Sequence, residues 1–209
     1  AQYQSAFDES TLRIRHGAYL PHWRCEGATY AVTFRLGDSL PKKVLDTWVQ
    51  ERNDIIDTAR QLGRPLSRCE EERLHELHSE KVEAYLDAGH GVCWMRDERI
   101  AGLIADALKF FDGERYDLLA WCVLPNHVHV VVYPRTGNEL SDIVHSWKSF
   151  TAKQANRQLG RNGQFWQAES YDHLIRNEKE FFHSIQYVLD NPRLAGLREW
   201  KWVGCVLEG

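Results

Sequence analysis

At 209 residues, 43% hydrophobic and 27% charged, the chain has the length and composition of one globular domain and needs no disulfide staples to be stable. Five cysteines with no CxxC pair argue against a cysteine zinc ribbon, and 26 basic against 30 acidic residues argue against a uniformly basic nucleic-acid coat, leaving room only for a local basic surface. No apolar run reaches the ~18 residues of a membrane span and no secretory leader is legible, so with cysteines in odd number the expectation is a cytoplasmic protein away from any membrane.

Residues 1–27 are polar and basic around Leu20-Pro21 and read as an extended arm, with Arg13, Arg15, His22 and Arg24 as candidates for reading flanking bases. The domain proper is then 28–209. Its first strand is 28–36 (ATYAVTFRL), rich in β-branched and aromatic residues. Two helical patterns follow, 42–62 and 67–87, broken at Gly63-Arg64-Pro65; together they read as a helical insertion at 42–87. His75 and His78 in the second have the wrong spacing for an HExxH zinc helix and read as a solvated face.

Residues 97–111 predict a helix and 116–123 (YDLLAWCV) a strong strand, which a Pro125-Asn126 turn joins to the next strand as an antiparallel hairpin. A helix at 139–159 carries Lys148, Lys153 and Arg157; with Arg161 and Arg176 these are candidate phosphate contacts. Trp147 and Trp166 read as packing residues rather than base-stacking platforms. The last clear helix is 178–191, closed by Pro192, which disfavours helical geometry before it. This order predicts an α+β fold: a ferredoxin-like antiparallel βαββαβ sheet core with helices on one face and the helical insertion after its first strand. Segments 172–176 and 200–206 compete for the fourth strand.

The segment LPNHVHVVVYP (124–134) is the most informative. Strand side chains alternate, so His127 and His129 share one face while Val128, Val130 and Val132 pack on the other. Two adjacent imidazoles are half of a metal site. On the last helix, Tyr187 and Asn191 stand four residues apart on one face, with Phe182, Ile185 and Leu189 marking a neighbouring face able to pack on a sheet. A phenol and an amide docked over two histidines suggest a metal beside a nucleophile.

These segments resemble a known family. LPNHVHVVVYP is similar to the HUH motif of the IS200/IS605-like single-tyrosine transposases, and FWQAESYDHLIR (165–176) with YVLDNPRLAGL (187–197) resembles the branch called REP-associated tyrosine transposases. WKSFT (147–151), Leu20-Pro21-His22 and VTFR (32–35) resemble that branch too. The resemblance implies His127, His129 and Asn191 as ligands of a divalent ion, Mg²⁺ or Mn²⁺, and Tyr187 as the nucleophile. It further implies cleavage of single-stranded DNA beside hairpins of palindromic, REP-like repeats, through a 5′-phosphotyrosine intermediate, by a chain resembling monomers more than helix-exchanging dimers.

The residue types suit that chemistry. Phosphodiester cleavage needs charge stabilisation on the phosphoryl oxygens, and a tyrosine of ordinary pKa about 10 needs in-line placement and help losing its proton. His183, one turn before Tyr187, is a candidate for that proton; Tyr171, lacking a ligand at i+4, is a weaker nucleophile candidate. Two rival readings are a non-catalytic palindrome-binding protein of the same fold and a phosphoesterase using metal-bound water.

Overall fold

The computed structural model describes residues 13–16, 21–39, 42–67, 69–70, 73–74, 86 and 89–206. Seven strands are described: β1 (Arg13–His16), β2 (Pro21–Arg24), β3 (Thr29–Arg35), β4 (Tyr116–Val123), β5 (His127–Pro134), β6 (Tyr171–Ile175) and β7 (Val203–Cys205). Four long helices accompany them: α1 (Lys42–Gln61), α2 (Glu98–Lys109), α3 (Leu140–Gln158) and α4 (Glu178–Leu194). The expected helix at 67–87, with His75 and His78, falls largely outside the described residues. The N-terminal arm contains more regular structure than its composition suggests, since β1 and β2 pair as an antiparallel ribbon.

The main sheet has the order β6-β3-β5-β4-β7, every neighbour antiparallel. Four of these strands, β6-β3-β5-β4, give the ferredoxin-like arrangement expected from the sequence. Both candidates for the fourth strand are used: β6 takes the place beside β3, and β7 adds an edge beyond β4. The β4–β5 hairpin closes over Leu124–Asn126, with the Leu124 amide bonded to the His127 carbonyl at 2.9 Å.

Each sheet face has its own core. On one, Tyr30, Val32, Phe34, Val128, Val130 and Val132 pack against α2 and α3. Helix α2 meets them with Ile100, Ala101, Ile104, Ala105 and Leu108, a stripe at helical spacing, and starts where the Asp97 carboxylate accepts from the Arg99 amide. The other face departs from the expectation of helices on one side only. Helix α4 covers it, setting Phe181, Ile185 and Val188 on Leu119, Ala120, Cys122 and Val131. A register shift in β4 between Leu118 and Ala120 allows this, because Leu118 joins the first core while Leu119 and Ala120 both join the second.

Two details of α4 also differ from the expectation. Phe182 is exposed, and Phe181 is the buried aromatic. The helix passes through Pro192 to Leu194 instead of stopping before it. Pro192 is buried in the last turn, where little helix remains for its missing N–H to disturb, and the Asn191 and Pro192 carbonyls accept from Ala195 and Leu197 at 2.9 and 2.8 Å.

Candidate active site

His127 and His129 lie on the α4 side of β5, only 1% and 2% exposed. Their ring centroids are 4.7 Å apart at 87°. Across the β3–β5 ladder Arg35 stands opposite His127 and Thr33 opposite His129, so all four side chains belong to one face.

Each imidazole is oriented from behind. Asn126, 1% exposed, donates its amide to the Leu86 and His90 carbonyls at 3.0 and 3.1 Å, which turns its oxygen to His127 Nδ1 at 2.7 Å. An amide oxygen only accepts, so Nδ1 carries the proton and the lone pair resides on Nε2. The His90 carbonyl that holds Asn126 lies two residues before Val92, whose amide bonds to Asp38 at 3.0 Å. Gly91 (φ +88) passes there so closely that a Cβ would lie 2.8 Å from the Asp38 carbonyl oxygen. Thr33 Oγ1 stands 2.8 Å from His129 Nδ1, leaving that ring's Nε2 buried and, among the described residues, without a hydrogen-bond partner. Burial holds the His127 pKa well below its ordinary value and that of His129 at about 3, so both rings are neutral at pH 7.

Helix α4 brings Tyr187 to this pair, its ring 5.3 Å from that of His129 and edge-on at 83°. Asn191, one turn further, is fully buried, and neither atom of its amide has a hydrogen-bond partner among the described residues. An orphaned buried amide costs about 1–3 kcal/mol for each unmet group. Such a group is retained where a ligand satisfies it. Two imidazole nitrogens and an amide oxygen form a neutral donor set suited to a divalent ion with remaining positions for water or phosphate oxygen. Among the described residues no group of three or more His, Cys, Asp or Glu is placed to hold a metal. The donor chemistry fits a divalent ion.

A cavity of about 800 Å³ opens beside these residues, lined by His129, Tyr187 and His183 with Tyr171, His173 and Glu180. His183 is thus exposed on the same rim as Tyr187, and Tyr171, opposite Thr33 on β6, contributes to the wall. Lys148 is half-buried and donates to the Ala168 carbonyl at 2.8 Å; burial lowers its pKa to about 8, against the pull of Glu169. Lys153, Arg157 and Arg176 are exposed. Arg13 pairs with Arg24 and Arg15 with His22 along the β1–β2 ribbon, their side chains lying outside the described residues. Trp147 and Trp166 are packing residues, buried and bonded through their indole N–H to Tyr116 Oη at 2.8 Å and Thr151 Oγ1 at 2.9 Å.

Three residues near the pair were missed from sequence: Thr33, Arg35 and Asn126. The alternation of Thr33 and Arg35 with buried Val32 and Phe34 was a legible signal of a polar strand face. Asn126 gave none, because a Pro-Asn turn needs no further reason for its asparagine.

The stretch that resembles known proteins includes His127, His129 and Tyr187. The family model described as "Transposase IS200 like" matches residues 96–189. A REP-associated tyrosine transposase of Escherichia coli K12 is 31% identical over 77 residues, covering 37% of this chain and 44% of that protein. A Haemophilus influenzae protein proposed to be of the same kind is 26% identical over 101 residues, 42% of this chain and 57% of that one. The matches thus span about half the length of these curated relatives. A solved REP-associated tyrosine transposase bound to a REP hairpin superposes with a TM-score of 0.48 at 16% identity, over 90% of this chain and 80% of that one. Residues 96–189 thus resemble the IS200-like transposases, and a shorter part of the chain resembles the REP-associated tyrosine transposases.

Proposed function

We propose that the chain is a metal-dependent endonuclease and strand transferase for single-stranded DNA, which binds hairpins of palindromic repeats and cuts through a phosphotyrosine. The observation that carries this reading is the Tyr187 ring set edge-on against His129, above buried donor atoms of His129 and Asn191 that have no hydrogen-bond partner among the described residues. The REP-associated relatives support the palindromic-repeat substrate.

In this reading His127 Nε2, His129 Nε2 and the Asn191 amide oxygen hold a divalent ion, Mg²⁺ or Mn²⁺. The ion supplies Lewis-acid charge stabilisation to the phosphoryl oxygens. Asn126 and Thr33 orient the two imidazoles. Helix α4 aims Tyr187 Oη at phosphorus; the Oη–P bond forms as the P–O3′ bond breaks, and the departing oxygen takes a proton to become a 3′-hydroxyl. His183 on the same rim receives the phenolic proton. The tyrosyl ester conserves the phosphodiester energy, so the strand can be rejoined to another 3′-hydroxyl. The meeting of Tyr187 and His129 within one chain supports the reading of a site completed by a single protomer. No described helix is long and apolar enough to cross a membrane.

The test is incubation with a labelled DNA-hairpin library and Mn²⁺, read as a covalent adduct on denaturing gels. Adduct with the native chain and none with Tyr187→Phe supports the proposal. Metal-independent binding without adduct under any metal indicates a non-catalytic palindrome binder, and cleavage that survives Tyr187→Phe indicates water as nucleophile.

A further inference from the structure

Arg35 is the residue of this face that the proposed reaction leaves unused. It ends β3 directly opposite His127 and is only 7% exposed. Its guanidinium is charged at any physiological pH. Yet no carboxylate acts on it among the described residues, and its Nε is buried without a hydrogen-bond partner there. The ionisable groups that feel its charge, His127 and Lys148, are cationic when protonated, and it disfavours that form in both. A buried, unpaired guanidinium is costly, and folds normally neutralise it or replace it with an apolar side chain. Its persistence beside two imidazoles calls for an anion from outside the chain. The planar fork of an arginine matches phosphate oxygens in particular.

We infer that Arg35 is the phosphate-binding residue of this site, taking a phosphodiester oxygen of the bound DNA strand one pleat along from the Tyr187–His129 contact. The inference rests on the proposed DNA reading, and names the side chain that holds the strand's charge there. With an ion at the histidines and the Arg35 guanidinium on the same sheet face, two positive centres would stand close together, and a phosphate between them would relieve their repulsion. Lys148, fastened to the Ala168 carbonyl, adds positive potential at the approach.

The experiment uses the full chain carrying Tyr187→Phe, in EDTA, so that binding is read without cleavage or metal and stays separable from the adduct assay. The probes are inorganic phosphate alone, single-stranded (dT)₁₂, and (dT)₁₂ with a uniform methylphosphonate backbone. Phosphate is expected to raise Tm in the presence of Arg35 and not in Arg35→Met. Arg35→Met is expected to bind (dT)₁₂ about tenfold more weakly, with the slope of log K against log salt shallower by about 0.7, the share of one phosphate contact on a single strand. Arg35→Lys should recover the slope and only part of the affinity, and the methylphosphonate strand should bind both forms equally. Equal (dT)₁₂ affinity and slope in Arg35→Met would overturn the inference. So would a phosphate response with no (dT)₁₂ response, which assigns the site to a free anion. A ligand-free Arg35→Met that melts several degrees lower, or does not fold, also overturns it, since the charge is then held for the fold.

Discussion

Replacing Asn126 with alanine separates the support of the site from its chemistry. The side chain is buried and makes three hydrogen bonds: two donated to Leu86 and His90 carbonyls at 3.0 and 3.1 Å, one accepted from His127 Nδ1 at 2.7 Å. At about 1 kcal/mol net for each, their loss costs about 3 kcal/mol, since the partners stay behind in a dry interior. For a chain of this length that lowers Tm by roughly 6–12 °C. The effect on His127 is more specific. Without an acceptor at Nδ1 the proton is free to move to Nε2, where it occupies the lone pair a metal needs; loss of such an orienting partner typically weakens metal binding about 10–100-fold. Asn126→Asp keeps an acceptor for Nδ1 but turns a buried carboxylate toward two carbonyls. It should therefore retain metal affinity better than alanine while losing more stability. The assays are urea unfolding in EDTA and Mn²⁺ titration monitored by electron paramagnetic resonance. Alanine and native chains with equal Mn²⁺ affinity would refute the tautomer argument, and equal unfolding midpoints would refute the hydrogen-bond accounting.

Other consequences are direct. Tyr187→Phe should abolish the covalent DNA adduct while leaving Tm within about 1 °C, because the half-exposed helix position keeps its ring against His129. A variant that still forms adduct moves the nucleophile elsewhere, with Tyr171 on the same cavity as the first place to look. The metal-free chain should lose stability in acid. His129 titrates at about 3 when folded and near 6.5 when unfolded, so below pH 6.5 the unfolded chain binds the proton that the native chain refuses. The stabilisation is complete above that range and falls by roughly 2 kcal/mol by pH 5 from this group alone. A native chain whose unfolding midpoint is flat from pH 7 to pH 5 would contradict that burial. Trp147→Ala should cost about 3–5 kcal/mol and leave single-strand affinity unchanged, because the indole is 2% exposed and bonded to Tyr116 Oη. Weaker binding by a folded variant would return Trp147 to the DNA surface.

The parts of the fold and site legible in the sequence divide from the rest by the range of the interactions involved. The pairing of His127 with His129, and of Tyr187 with Asn191, comes directly from strand and helix periods. Both pairs arrive on one site because strand order forces it: β5 lies at the centre of the sheet, and a helix after an edge strand must cover one face or the other. Periodicity does not reveal which face. Helices α2 and α3 occupy the Val128–Val132 side, and only the extra residue in β4 makes a second apolar floor for α4 out of Leu119 and Ala120. A one-residue irregularity in YDLLAWCV leaves no mark on its composition. The end of α4 was misplaced for a related reason. The local penalty at Asn191-Pro192 is real, but burial of both residues against the sheet outweighs it, and that same burial leaves the Asn191 amide available to a ligand. The supports of the site were hidden for the opposite reason. Asn126 is a sound turn residue and Arg35 a sound strand end on local grounds, and each acquires its role only from a partner across the fold. For Asn126 the partners include carbonyls about forty residues earlier. For Arg35 the partner of its charge lies outside the chain, which is why an unpaired guanidinium in the fold says more about a bound strand than any basic run in the sequence.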